Sequence, residues 1–91
     1  MPVTVRIPTV LQKLTDGLDE VQASGNTVAA LIDDLRATHS DFVARITNED
    51  GAVKPFLNVF VNGEDIRFSG DLQARVNDGD EVSIIPSIAG G

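Results

Sequence analysis

Ninety-one residues, 42% apolar and 23% charged, suffice for one small globular domain, because a second core would have to be built from too short a stretch. The absence of cysteine excludes a disulfide scaffold, a thiolate metal site, an iron–sulfur cluster and a cysteine nucleophile together. Seven basic against fourteen acidic residues leave a net charge of −7 and a pI near 4.3, a balance that opposes binding to nucleic acid or an anionic membrane surface.

Val3-Thr4-Val5-Arg6-Ile7 alternates apolar and polar side chains with β-branched residues on one side, which predicts a half-buried first strand. Pro8 ends it, since proline lacks the donor a ladder needs. Val10 to Leu14 then predicts a short helical turn or a loop that packs two leucines. Asp16-Gly17 reads as a turn, and Leu18 to Ala23, with Leu18, Val21 and Ala23 apolar, as the second strand of a hairpin. Asn26 or Thr27 is placed to accept the first orphan donors of a helix. Val28, Leu31, Ile32 and Leu35 recur at helical spacing, so they form one apolar stripe with Asp33, Asp34 and Arg36 turned away. His39, the single histidine, falls in the last helical turn, where an imidazolium favours the negative helix end. It has no second histidine or cysteine with which to hold a metal.

Phe42, Val43 and Ile46 predict a second helical piece that closes the core, followed by an acidic turn at Asn48-Glu49-Asp50-Gly51. Leu57 to Val61 alternates strictly, Asn62-Gly63 is a preferred pair for a tight hairpin, and Glu64 to Phe68 starts back until Ser69-Gly70 breaks it. After Leu72 and Val76, the Asp78-Gly79-Asp80 turn leads into a last strand, Glu81 to Ile85. Alternation turns Val82 and Ile84 inward and Ser83 and Ile85 outward; on the other strand Leu57, Val59 and Val61 face in and Phe60 faces out. The order β-β-α-β-β-β predicts an α+β fold of the β-grasp, ubiquitin-like type: a mixed sheet with one main helix packed across one face and its first and last strands side by side. The domain is expected to span 1–85, with 86–91 a flexible tail ending in Gly-Gly. No large enzyme cleft is expected in a chain this size. Without a long apolar run or a charged-then-apolar start, the expected location is cytoplasmic.

The stretch from Val61-Asn62-Gly63 through Asp78-Gly79-Asp80-Glu81-Val82-Ser83-Ile84-Ile85-Pro86 to Ala89-Gly90-Gly91 resembles the ubiquitin-like sulfur carriers of the MoaD/ThiS family. In that family a turn of this type leads into the final strand and a short tail ending in Gly-Gly. The resemblance covers essentially the whole chain. Ile7-Pro8-Thr9, Ala23-Ser24-Gly25, Val59-Phe60-Val61-Asn62 and Asp65-Ile66-Arg67-Phe68-Ser69-Gly70 are most similar to the actinobacterial carriers that supply sulfur for cysteine synthesis.

The resemblance implies a carrier acting as co-substrate and not an enzyme. An E1-like adenylating and sulfurtransferase enzyme would use ATP and Mg²⁺ to make an acyl-adenylate at Gly91, and sulfide or a persulfide would displace AMP to leave a thiocarboxylate. The chain itself is expected to bind no cofactor. Gly91 is the implied site of covalent sulfur attachment, and Ala89, Gly90 and Gly91 the segment threaded into a partner; without a Cβ, glycine passes where larger residues are rejected. Phe60 and Ile85 would form a docking patch beside the tail root. Arg67 would add a polar contact or balance Glu64 and Asp65, the balance being favoured. The implied acceptor is a PLP-dependent cysteine synthase, with molybdopterin synthase large subunit or thiazole synthase as alternatives, and a metalloprotease releasing the tail adduct as a further partner. A ubiquitin-like modifier joined to lysines through Gly91, and a β-grasp interaction module without tail chemistry, stay open. Side-chain catalysis is disfavoured, since the one histidine sits at a helix end and the carboxylates cluster near turns.

Overall fold

A computed structural model describes residues 2–87. The first strand, β1 (Val3–Arg6), buries Val3 and Val5 and leaves Thr4 and Arg6 on the other side, as its alternation requires. β2 (Glu20–Ala23) pairs with it antiparallel, setting Val21 opposite Val5. β3 (Leu57–Val61) turns at Asn62-Gly63 into the two-residue β4 (Glu64–Asp65). β5 (Glu81–Pro86) lies parallel to β1, with Val82 beside Val5, and antiparallel to β3, with Ile84 opposite Val59. The sheet order is β2-β1-β5-β3-β4, so the first and last strands are neighbours as expected, with β5 in the middle row.

Two helices cover one face. α1 (Val28–Thr38) begins at Thr27, whose Oγ1 accepts the Ala30 N–H at 3.1 Å, a cap that satisfies one of the orphan donors. Its stripe of Val28, Leu31, Ile32 and Leu35 is buried. Each such side chain contributes about 1.5–3 kcal/mol on burial, so packing rather than intrinsic propensity holds this short helix. His39 ends α1 and begins α2 (Ser40–Ile46), which buries Phe42, Val43 and Ile46. Among the described residues no helix is long and apolar enough to cross a membrane.

The structure corrects two expectations, the start of the second strand and the length of the return strand. The second strand starts at Glu20 instead of Leu18. Thr15, fully buried, ties the preceding turn by donating its hydroxyl to the Leu18 carbonyl at 3.0 Å, which holds Leu18 outside the ladder. Between β1 and β2 the expected helical turn forms as a 3₁₀ helix, Thr9–Thr15, that buries Leu11 and packs Leu14 against the core. The return strand from Glu64 to Phe68 stops after Asp65, and the chain continues through 3₁₀ turns at Ile66–Phe68 and Asp71–Gln73. Asp65 causes this bend: its Oδ1 accepts the Arg67 N–H at 2.9 Å, a local bond that competes with the ladder. At the other end of the chain, β5 runs through Pro86, and the Ser87 N–H still donates to the Phe56 carbonyl.

Candidate functional site

The sheet face away from the helices carries the outward residues of three adjoining strands: Thr4 and Arg6 from β1, Ser83 and Ile85 from β5, and Asn58 and Phe60 from β3. Asn58 stands opposite Ile85 and Phe60 opposite Ser83. Phe60 and Ile85 are therefore diagonal neighbours, at a separation an aromatic ring can bridge. Ile85 is 47% exposed and Phe60 partly so. The structure thus brings these two residues together, one pair short of the end of β5.

Arg67 borders the same patch. Its Nη2 donates to Asp65 Oδ2 at 2.7 Å and to Asn58 Oδ1 at 2.6 Å, while its Nε donates to Asp65 Oδ1 at 3.2 Å. The Arg67 side-chain bond holds the Asp65 carboxyl below the usual carboxylate range, and Asp65 in turn raises Arg67. The expected balancing role falls on Asp65. By reaching Asn58, the guanidinium is also fixed beside the residue that faces Ile85.

Arg6 shapes the far end of this face. It contacts Glu20 at 3.2 Å and Glu81 at 3.8 Å, so that end is charged, while the end toward Ser87 sets Ile85 beside the Asn58–Arg67 pair. The Asp78-Gly79-Asp80 turn serves to start β5. Asp80 Oδ2 accepts the Asn77 N–H at 2.8 Å, and Asn62 Oδ1 accepts the Glu81 N–H at 3.0 Å. A side-chain bond with Asn62, and then the Asn77 N–H, hold the Asp80 carboxyl low. Gly79 takes φ +84° with open space around it, a conformation that disfavours other residues.

Two exposed aromatics escaped the sequence reading. Phe68 is 84% exposed and Phe56 52%. A continuous return strand would have set Phe68 on the core side with Ile66, and the 3₁₀ turn removes it. Phe56 was legible by carrying the alternation of β3 one residue back. A cleft of about 440 Å³ opens between the 52–55 segment, β3 and the 65–73 segment. Among the described residues no cluster of three histidines or carboxylates could hold a metal ion. Ala89, Gly90 and Gly91, the expected attachment and threading residues, lie outside the described residues.

The strand order, with a parallel pair of first and last strands at its centre and α1 across one face, is the β-grasp topology of ubiquitin-like proteins. Residues 5–91 match the ThiS family, and the chain belongs to it. The sulfur carrier protein CysO of Mycobacterium tuberculosis is 46% identical over 93 residues, covering all of both chains. A putative sulfur carrier protein of Archaeoglobus fulgidus is 37% identical over 91 residues, again with full coverage of both. In the crystal structure of the Amycolatopsis orientalis BexX/CysO complex, a chain 48% identical superposes with a TM-score of 0.90, covering 98% of this chain and 99% of that one. The relatives are carriers by name, and this chain, sharing their fold throughout, is of the same small ubiquitin-like kind rather than a catalyst.

Proposed function

We propose that the chain is a sulfur carrier whose Gly91 carboxylate is adenylated and converted to a thiocarboxylate, and that its sulfur serves cysteine biosynthesis. The observation that carries this reading is the full-length likeness to carriers named CysO, 46% identical. ATP and Mg²⁺ belong to an E1-like activating enzyme. There the Gly91 carboxylate oxygen attacks the α-phosphate and pyrophosphate leaves. Sulfide then attacks the acyl carbon and AMP leaves, so sulfur replaces one terminal oxygen. A PLP-dependent cysteine synthase would consume the product, the thiocarboxylate sulfur bonding to the β-carbon of an activated serine while the β-oxygen leaves with its activating group; a metalloprotease would release the adduct from the tail by hydrolysis.

This chain's own contribution is positional. Phe60 and Ile85, flanked by Arg67, would seat the activating enzyme on the outer face, while Ala89, Gly90 and Gly91 enter its channel. The relative in the BexX/CysO complex engages a partner protein, which supports a docking role for this fold. Deleting Gly91 tests the chemistry: stability should be unchanged, yet loading with ATP and sulfide should cease, because the acyl group retreats by up to roughly 3.6 Å. Intact mass spectrometry reads the exchange of oxygen for sulfur directly. Normal loading of the truncated chain, or no loading of the full chain by any such enzyme, would overturn the mechanism.

A further inference from the structure

β2 is an end row of the sheet and pairs only with β1. In an antiparallel ladder alternate residues turn both main-chain groups toward the neighbouring strand, and the residues between them turn theirs away. Three bonds fix which residues do which. The Ile7 N–H donates to the Asp19 carbonyl at 2.8 Å, so by the register Val21 and Ala23 address Val5 and Val3. The Thr4 N–H donates to the Asp80 carbonyl at 3.0 Å, so Thr4, which stands opposite Gln22, turns its groups toward β5 and not toward β2. The Ser24 N–H, in phase with Gln22, donates to Asp34 Oδ2 of α1 at 2.9 Å and so points away from β1. Glu20 and Gln22 therefore direct their N–H and carbonyl groups outward from the sheet. Both residues are exposed, and these groups have no hydrogen-bond partner among the described residues.

The charge along this edge is negative. Glu20 shares Arg6 with Glu81, and Asp33 on α1 is paired with Arg36. Asp19, just before the open groups, and Asp34, beside the residue just after them, are exposed and in no ion pair among the described residues. On the preceding 3₁₀ helix and its turn, Lys13 and Asp16 are both exposed and offset each other in charge, which leaves the two flanking carboxylates uncompensated. The stretch from Asp19 to Ser24 spans about 17 Å when extended. The same charges bear on self-pairing, since charged side chains guard a sheet edge against a second copy of itself. Two copies joined along β2 would set acidic residues of one against those of the other, on chains that each carry −7, and like charges facing each other destabilise a strand pair. The edge thus rejects its own copy and suits a basic strand.

We propose that the β2 edge is a docking site for an extended segment of a partner protein that carries a basic side chain at each end. Its main chain would bond to Glu20 and Gln22, as in strand addition to a sheet edge, and its basic side chains would meet Asp19 and Asp34. Side chains set beside the buried Val21 and Ala23 would continue the core side of the sheet, which favours β-branched residues there. β1 separates this edge from β5, so the site is distinct from the Phe60–Ile85 patch, and a partner held here leaves that face free.

The test is a titration of the isotope-labelled full chain with N-acetyl-Arg-Val-Thr-Val-Thr-Arg-amide and with a counterpart carrying Gln at both ends, followed by amide chemical shifts. The largest shifts should fall at Glu20, Gln22 and Ser24, with Phe60 and Ile85 unmoved. At low salt the neutral peptide should bind about tenfold more weakly, and the two should converge as salt screens the charges. Combining Asp19→Asn with Asp34→Asn should weaken the basic peptide by the same factor and leave the neutral one unchanged, since an amide oxygen can still accept the Ser24 N–H. Gln22→Pro removes an outward N–H without touching a bond to β1, a place where an edge strand tolerates proline, and should abolish binding of both peptides. If that variant does not fold, the double Asn variant decides. Absence of shifts at millimolar peptide, shifts centred on Phe60 and Ile85, equal binding of the two peptides at low salt, or concentration-dependent shifts of the same amides in the chain alone would overturn the proposal.

Discussion

The Phe56 carbonyl accepts the Ser87 N–H at 2.7 Å, so the last described residue is still in register with the neighbouring strand. This bond fixes the point from which Ile88 to Gly91 depart. Four residues reach at most roughly 14 Å, which, under the proposed mechanism, would set how close the body must dock before its carboxylate could meet a reacting phosphate. The outer face ending at Ile85 is the surface nearest that point along the chain.

That surface is tested by Phe60→Ala and Ile85→Asp. Each should weaken binding to the activating enzyme in titration calorimetry while leaving the folded spectrum intact, and Ile85→Asp should be the more severe because it places a charge in an apolar contact. Unchanged affinity for both variants would remove the patch from the carrier mechanism.

Leu31 lies in the buried stripe of α1, 2% exposed. Leu31→Ala should destabilise the protein by about 2–5 kcal/mol in denaturant unfolding, the lost burial adding to an incompletely collapsed cavity.

Gly25 precedes α1 where the chain passes close over the helix. A Cβ there would lie 2.8 Å from Ala30 Cβ and 2.9 Å from the Leu31 backbone nitrogen. Gly25→Ala should therefore cost about 1–3 kcal/mol, because neither the helix backbone nor Ala30 can yield as a flexible side chain would. A thermal midpoint equal to that of the parent would contradict this contact.

Acid should weaken the fold through Asp65 and Asp80, whose carboxyls are both lowered, the first mainly by Arg67 and the second mainly by Asn62. A depressed folded pKa means that the unfolded chain binds protons first. The stabilisation is thus complete above the unfolded value of about 3.9 and is lost as pH falls through the lower folded value. Both groups lie at the surface and are only partly covered, so the effect should be small and should shrink with salt. Asp65→Asn should differ from the parent near neutrality and converge with it in strong acid, as urea unfolding at both pH values would report.

The elements legible in the sequence were those whose pattern and packing agree. The stripe of α1, the cap at Thr27, the alternation of β3 and β5, and the diagonal of Phe60 and Ile85 all follow from period and register. What escaped was decided by single side chains acting on the backbone. Asp65 bonds the Arg67 N–H and ends β4 early, which periodicity cannot anticipate because Glu64 to Phe68 still reads as a strand. Thr15 does the same for the second strand by holding Leu18 in a turn. The exposed Phe68 and the cleft beside β3 are consequences of that one early ending, so a local capping bond accounts for most of the missed surface.

Because the middle row of the sheet is also the last strand made, synthesis order and spatial order conflict. As the chain emerges, β1–β2 and β3–β4 form two hairpins with no row between them, and Val5 and Val59 have no partner strand to share. Only when residues 81–86 arrive can these halves be joined. Such distant pairing is slow, since loop closure precedes any reward. Newly made chains should therefore dwell as unjoined halves, the species most exposed to chaperones and proteases, and β5 is the segment whose arrival ends that interval.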